Sequence, residues 1–267
     1  MKDNIRLENL LLSPFNRSLS ARFERQQVAK AFMDFKWDKH IAMGCDASRT
    51  GHQEDISALD LDNEEKLLMF GSFEGVISIV KCKNLYRQKW RKPMNFNLRP
   101  QSLRTLKWCP LDNRMFMMGT TGGWMRVCDT TRGTEIHSKK FDDGDVYFDW
   151  NEYNMTNPRV AVGDGSASLK VIDFRVGMSL PQSIRWRGSQ NPIDVVQWFP
   201  SKQHYLYAGR RDGKVGIFDI RSTRGVLKEK QMHKAPLHGI RLTPDGRRLI
   251  TLDYAANVRV SDTWCPT

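Results

Sequence analysis

Ile193-Asp-Val-Val-Gln-Trp198, Tyr205-Leu-Tyr-Ala-Gly209 and Asp212-Gly-Lys-Val-Gly-Ile-Phe-Asp219 follow one another closely, and their reading decides the fold. The first two are short runs rich in β-branched and aromatic residues, and the third alternates after an Asp-Gly turn signal, so the stretch reads as three successive strands. The same wording returns on both sides. An apolar-then-acidic pair closes the third strand at Ile172-Asp173 and Phe218-Asp219 and, with a weaker first member, at Cys128-Asp129 and Ser261-Asp262, while Val80-Lys81 takes that place in the first unit. The intervals are 48, 44, 46 and 43 residues. Nine residues before the pair stands Gly71, Gly119, Gly163 or Gly209, with Leu252 as the exception, which suits a strand ending in a tight turn. Alternating strands lie further upstream, at Leu59/Leu61, Leu106/Trp108, Phe148/Trp150, Val196/Trp198 and Ile240/Leu242. Each unit therefore shows three strands and leaves room for a fourth.

A period near 45 residues, short strands, glycines before a turn and a closing pair resemble the WD-repeat β-propeller family. The resemblance covers residues 51 to 265 and implies an all-β fold. It has five recognisable blades, fewer than the seven usual in that family, so the ring is either incomplete or closed in an unusual way. The family's Gly-His signature survives once, as Gly51-His52, and His233 stands alone 28 residues before Ser261. The turn acid six residues before the pair survives as Asp212 and Glu74 but is Gly122, Ser166 and Ala255 elsewhere. No unit is thus expected to make the full side-chain hydrogen-bond tetrad that the family often uses. The domain reading is an amino-terminal arm over residues 1–50 followed by blades over 51–267.

In the arm, the composition from Ser18 to Lys30 favours a helix capped at Ser20, with a thin apolar face of Leu19, Phe23 and Val28. So polar a helix either docks on the propeller or inserts into a partner. After it, Phe35 and Trp37 alternate as in a strand, one that could complete the last blade.

Local wording narrows the resemblance within the family. Leu19-Ser-Ala-Arg22, Ile56-Ser-Ala-Leu-Asp-Leu61, Leu103 to Pro110, Val160-Ala-Val-Gly163, Val195-Val-Gln-Trp198 through Asp219-Ile-Arg221, and Leu242-Thr-Pro-Asp-Gly246 look like the substrate receptors of cullin-RING ubiquitin ligases that serve transcription-coupled nucleotide excision repair. The resemblance implies a non-enzymatic receptor that docks on the damaged-DNA-binding adaptor and presents repair or stalled-transcription clients. Docking would use an amino-terminal helical segment, here Leu19, Arg22 and Phe23, and arginines following the closing pair, here Asp173-Phe-Arg175 and Asp219-Ile-Arg221. A guanidinium suits that task because it is permanently charged and donates paired hydrogen bonds to carboxylates or carbonyls. The alternative is that both arginines are solvated ends of blade strands.

The chain has 267 residues, with 42 basic against 30 acidic, a formal net charge of +12. That balance favours acidic partners and a nuclear setting. Between Lys81 and Gln101 there are basic residues and no acidic one; Arg87, Lys89, Trp90, Arg91 and Lys92 combine cations with an aromatic ring, which suits phosphate tracking with base stacking. Weak nucleic-acid binding through such loops is the alternative function, and a solvated inter-blade loop is the plainer reading. The pairs Arg210-Arg211 and Arg247-Arg248 read as surface charge. Six histidines and five scattered cysteines show no metal-ligand spacing, and no serine or cysteine has the setting of an activated nucleophile. The expectation is no enzyme activity, no metal, no cofactor and no small-molecule substrate, with reduced cysteines. No window approaches the roughly 18 apolar residues of a membrane helix, so no membrane span is expected.

Overall fold

The computed structural model describes residues 55–264, apart from 63, 65, 83–93, 97, 99–100, 111, 143, 153–157, 175–180, 187, 189, 201 and 223–224. The expected amino-terminal arm, Gly51-His52, the basic residues Arg87, Lys89, Trp90, Arg91 and Lys92, and Arg175 lie outside the described residues.

Five antiparallel sheets form in sequence order. Blade 1 holds β1 (Ile56–Leu61), β2 (Leu67–Ser72), β3 (Val76–Lys81) and β4 (Met94–Asn95). Blade 2 holds β5 (Leu103–Trp108), β6 (Met115–Thr120), β7 (Trp124–Asp129) and β8 (Thr134–Lys140). Blade 3 holds β9 (Tyr147–Trp150), β10 (Arg159–Gly163), β11 (Ser168–Asp173) and β12 (Gln182–Arg185). Blade 4 holds β13 (Ile193–Trp198), β14 (Tyr205–Arg210), β15 (Lys214–Asp219) and β16 (Val226–Gln231). Blade 5 has three strands among the described residues, β17 (Leu237–Leu242), β18 (Arg248–Asp253) and β19 (Val258–Asp262). The first strand of each blade lies beside the first strand of the next, so the five sheets follow one another around a common axis as a five-bladed β-propeller.

Position in the blade explains each strand's composition. The second strand is covered on both faces by neighbouring blades, which is why β14, Tyr-Leu-Tyr-Ala-Gly-Arg, is buried from Leu206 to Arg210 rather than alternating. The outermost strand β16, Val-Leu-Lys-Glu-Lys-Gln, is exposed after its first residue and carries charge along a free edge. The core accordingly comes in slices between consecutive blades. Trp186, Trp198 and Phe218 dominate the slice between blades 3 and 4, and Tyr207, Ile217 and Leu237 the one between blades 4 and 5.

The four recurrent glycines correct their sequence reading. They lie at or just before the ends of second strands with ordinary φ and do not make the turn. A Cβ on Gly119 would stand 2.3 Å from the Val146 carbonyl oxygen, and one on Gly163 would stand 2.6 Å from the Ile193 carbonyl oxygen. Gly71 and Gly209 press in the same way on Leu103 and Leu237. Each glycine thus admits the start of the next blade's inner strand. Leu252 holds the equivalent place in blade 5, after which no further blade follows among the described residues.

The fifth blade also recovers a network whose turn acid is missing at Ala255. His233 Nδ1 lies 3.0 Å from Asp253 Oδ2, and Nε2 lies 2.7 Å from the Thr251 hydroxyl, all three residues being buried. Asp253 supplies the carboxylate from the end of β18, and its Oδ1 also accepts the Asn257 backbone N–H at 2.8 Å. After β19 the chain returns to blade 4, where Trp264 packs edge-on against Tyr207 with ring centroids 5.3 Å apart. No helix among the described residues is long and apolar enough to cross a membrane.

Candidate docking surface

The closing pairs fall on one face of the propeller, at the ends of the third strands. In blade 4 the turn that follows is tied by Asp219, whose Oδ1 accepts the Arg221 backbone N–H at 2.9 Å. The same carboxylate takes two bonds from the guanidinium, Nε to Oδ1 at 3.0 Å and Nη2 to Oδ2 at 2.7 Å. Tyr205, opposite Asp219 in the sheet, lies under the guanidinium 5.7 Å from Cζ, and its hydroxyl accepts a further bond from Nη2 at 3.3 Å. These contacts hold an otherwise flexible cation in one pose while 56% of its side chain stays exposed. The guanidinium holds the Asp219 carboxyl below the usual range, and Asp219 holds Arg221 above its own. Lys202 reaches over the same Tyr205 ring and over Phe199, so the corner is cationic and aromatic.

Asp173 closes β11 on the same face one blade earlier, and Gln182 of blade 3 donates to the Ile220 carbonyl at 2.8 Å, joining the two corners. The equivalent acids in other blades are engaged within their own blades: Asp129 accepts the Arg132 backbone N–H of its turn at 3.0 Å, and Asp262 pairs across the sheet with Arg248 at 2.9 Å. Arg210 departs from its reading as surface charge. It is buried, bonded to Asp212, and stacked 4.4 Å from the centroid of Trp186. Arg211 is half exposed and paired with Asp194 at 3.0 Å.

A second feature on this face went unrecognised in the sequence. The penultimate residues of the five inner strands are Asp60, Lys107, Asp149, Gln197 and Arg241, one from each blade. Arg241 Nη1 donates to Gln197 Oε1 at 3.0 Å, Gln197 Nε2 donates to Asp149 Oδ2 at 3.0 Å, and Lys107 Nζ meets Asp149 Oδ1 at 3.1 Å. Burial pushes the Asp60 carboxyl upward despite Lys107 nearby. For Lys107, burial works downward, and the carboxylates of Asp149, Asp60 and Glu152 together outweigh it, leaving the ammonium above its usual range. Two of these acids also clamp the next blade. Asp60 accepts the Trp108 backbone N–H at 2.8 Å, and Asp149 accepts that of Trp198 at 2.8 Å. The indole N–H groups of the same tryptophans reach the Asp60 and Asp149 carbonyls at 3.3 and 3.0 Å. The signal was a polar residue recurring just before the strand-ending Trp or Leu.

This geometry is an array of packed blades with charged corners exposed along one face. Comparisons with known proteins agree with it. No family model matches the chain. The WD repeat-containing protein ATCSA-1 of Arabidopsis thaliana is 26% identical over 115 residues, 43% of this chain and 25% of that protein. Nucleoporin Nup43 of Mus musculus is 23% identical over 121 residues, 45% of this chain and 28% of that protein. The matched stretch thus spans about a quarter of each curated relative. Among solved structures, the Cps50 (Swd1) β-propeller domain of Myceliophteria thermophila superposes with a TM-score of 0.63 at 15% identity, covering 78% of this chain and 66% of that one. The fold is that of a β-propeller, and one of these relatives is named a WD repeat-containing protein.

Proposed function

We propose that this chain is a non-enzymatic substrate receptor of a cullin-RING ubiquitin ligase in transcription-coupled nucleotide excision repair. It docks on the damaged-DNA-binding adaptor through the Asp219–Arg221 corner, with Asp173 and Arg175 one blade away and Leu19, Arg22 and Phe23 of the amino-terminal segment as the second contact. The observation that carries the reading is Arg221, locked by Asp219 and Tyr205 yet 56% exposed in its side chain. A pre-ordered guanidinium loses little rotamer freedom on binding and keeps further N–H groups for a partner's carboxylate or carbonyl. The order of the local stretches, which is similar to that of the Cockayne syndrome group A WD-repeat protein, supports the same reading. A nuclear setting fits the +12 charge and the nucleoporin among the relatives. Clients are stalled-transcription or repair proteins, and ubiquitin transfer is carried out by the partners.

The test is affinity capture of the tagged full chain from nuclear extract, read by mass spectrometry, for wild type and the Arg175→Ala/Arg221→Ala variant. Adaptor and cullin enriched with wild type and lost with the variant, at unchanged circular dichroism, is the expected result. Equal enrichment with both forms removes the docking assignment, and no enrichment with a folded wild type removes the ligase reading.

A further inference from the structure

Blade 3 carries a cleft of about 800 Å³ lined largely by polar side chains. Its floor is one face of the β11–β12 hairpin. Ser168 lies opposite Arg185 and Lys170 opposite Ser183, and because directly opposed residues share a face, all four side chains project together. The other face of the hairpin, with Leu169, Val171 and Ile184, is buried against blade 4. The connection after β12 supplies Trp186, Gly188 and Gln190 to the rim, and Asp142 approaches from blade 2.

Cations on the third strands of the neighbouring blades are neutralised within their own sheets. Arg126 meets Glu135 at 3.2 Å in blade 2, and Lys214 meets Glu229 at 2.8 Å in blade 4. Blade 3 has no glutamate on β12; serine and arginine stand there instead. Among the described residues the Arg185 guanidinium makes no ion pair. Lys170 is bound beneath by the buried Asp164 and at the mouth by Asp142 Oδ2 at 3.2 Å. Its ammonium shares the Phe141 ring with that of Lys139, at 5.5 and 5.7 Å from the centroid. Burial, and after it the neighbouring Lys170, hold Lys139 below its usual range.

We propose that this cleft binds a phosphorylated side chain of a partner protein, a phosphoserine or phosphothreonine. A phosphate monoester is a near-dianion with three acceptor oxygens, and a guanidinium, an ammonium and two hydroxyls on one face match it in charge and donor number. Arg185 pairs with two oxygens, Ser168 and Ser183 donate to the remaining lone pairs, and Lys170 exchanges its exposed Asp142 contact for the phosphate while keeping Asp164. Among the described residues the cleft is bounded by Trp186 and Gln190 and offers no extended row of cations, which favours one phosphorylated residue over a nucleic-acid strand.

The test uses the full chain and fluorescence anisotropy with a labelled, sequence-degenerate phosphoserine peptide pool, its unphosphorylated counterpart, and a single-stranded oligonucleotide. The phosphorylated pool is expected to bind at least tenfold tighter than its counterpart. Arg185→Gln should abolish that preference, Asp142→Asn should tighten binding several-fold, and Arg259→Gln, which removes the same charge from exposed β19, should change nothing. Equal binding of the two pools overturns the proposal. So do equal losses in Arg185→Gln and Arg259→Gln, which would reveal diffuse charge, or an oligonucleotide that depends on Arg185 where the peptides do not. The Asp142→Asn arm removes an anion at an exposed position, so it reads the site even if an arginine variant were poorly folded.

Discussion

Asp149 in blade 3 accepts the backbone N–H of Trp198 in blade 4 at 2.8 Å, while its own carbonyl accepts the indole N–H of the same residue at 3.0 Å. The Asp60–Trp108 pair repeats the arrangement between blades 1 and 2. Truncating Asp149 leaves a buried N–H and the Lys107 ammonium without their acceptor, so Asp149→Ala should lower the unfolding free energy by about 3 kcal/mol. Urea denaturation followed by tryptophan fluorescence measures this, and a loss below about 1 kcal/mol would show that the clamp is dispensable.

Gly119 and Leu252 hold equivalent places in blades 2 and 5 with opposite surroundings. Gly119→Ala drives a methyl onto the Val146 carbonyl, backbone that cannot swing aside, and should cost about 2 kcal/mol. Leu252→Ala, with no following blade against it among the described residues, should cost less than about 1 kcal/mol. Thermal melts of the two variants give the comparison; a reversed order contradicts the assignment of these glycines to blade contact.

The acid limb of stability should depend on Asp219. Its folded carboxyl titrates below the unfolded value because the Arg221 guanidinium binds it, so its contribution is complete above the ordinary carboxylate range and is lost as pH falls through the folded value. Between about pH 5 and pH 3, Asp219→Asn should therefore lose less stability than wild type. Parallel curves for the two proteins would place the acid-labile groups elsewhere.

Cys128 is buried on β7, and burial, aided by Glu135, pushes its thiol up to about 12. At pH 8 it should resist iodoacetamide in the native protein and react fully in urea, as peptide mass mapping would read. Rapid labelling of Cys128 without denaturant would mean that the slice between blades 1 and 2 opens readily.

The blade order was legible because each strand triplet ends on a recognisable pair, and Asp219 and Phe218 stand where that reading puts them. What escaped depends on neighbours across a blade boundary. Gly119 looks like a turn residue until Val146 is seen against it, and Lys107 looks like solvated charge until Asp149 is beside it. Asp253 was missed because it closes β18 in the place Arg210 takes in β14, two residues before the counted turn position, although the two hairpins share one register. Arg210 was misread because a cation's burial depends on an acceptor and a ring, Asp212 and Trp186, that pattern alone does not bring together.

The two terminal blades differ from the three between them. Val258 and Val260 are 62% and 54% exposed on β19, and Ile56 and Leu59 are 45% and 50% exposed on β1. Among the described residues no apolar cluster joins blade 1 to blade 5. Among the described residues the series therefore has two ends, like a short stack of coins, and its local stability should fall from the middle outward. Amide protons of β10 and β14 would then exchange last and those of β19 first. Any partner that covers an end would slow exchange most at the blade it touches, so protection patterns would locate contacts before a complex is visualised.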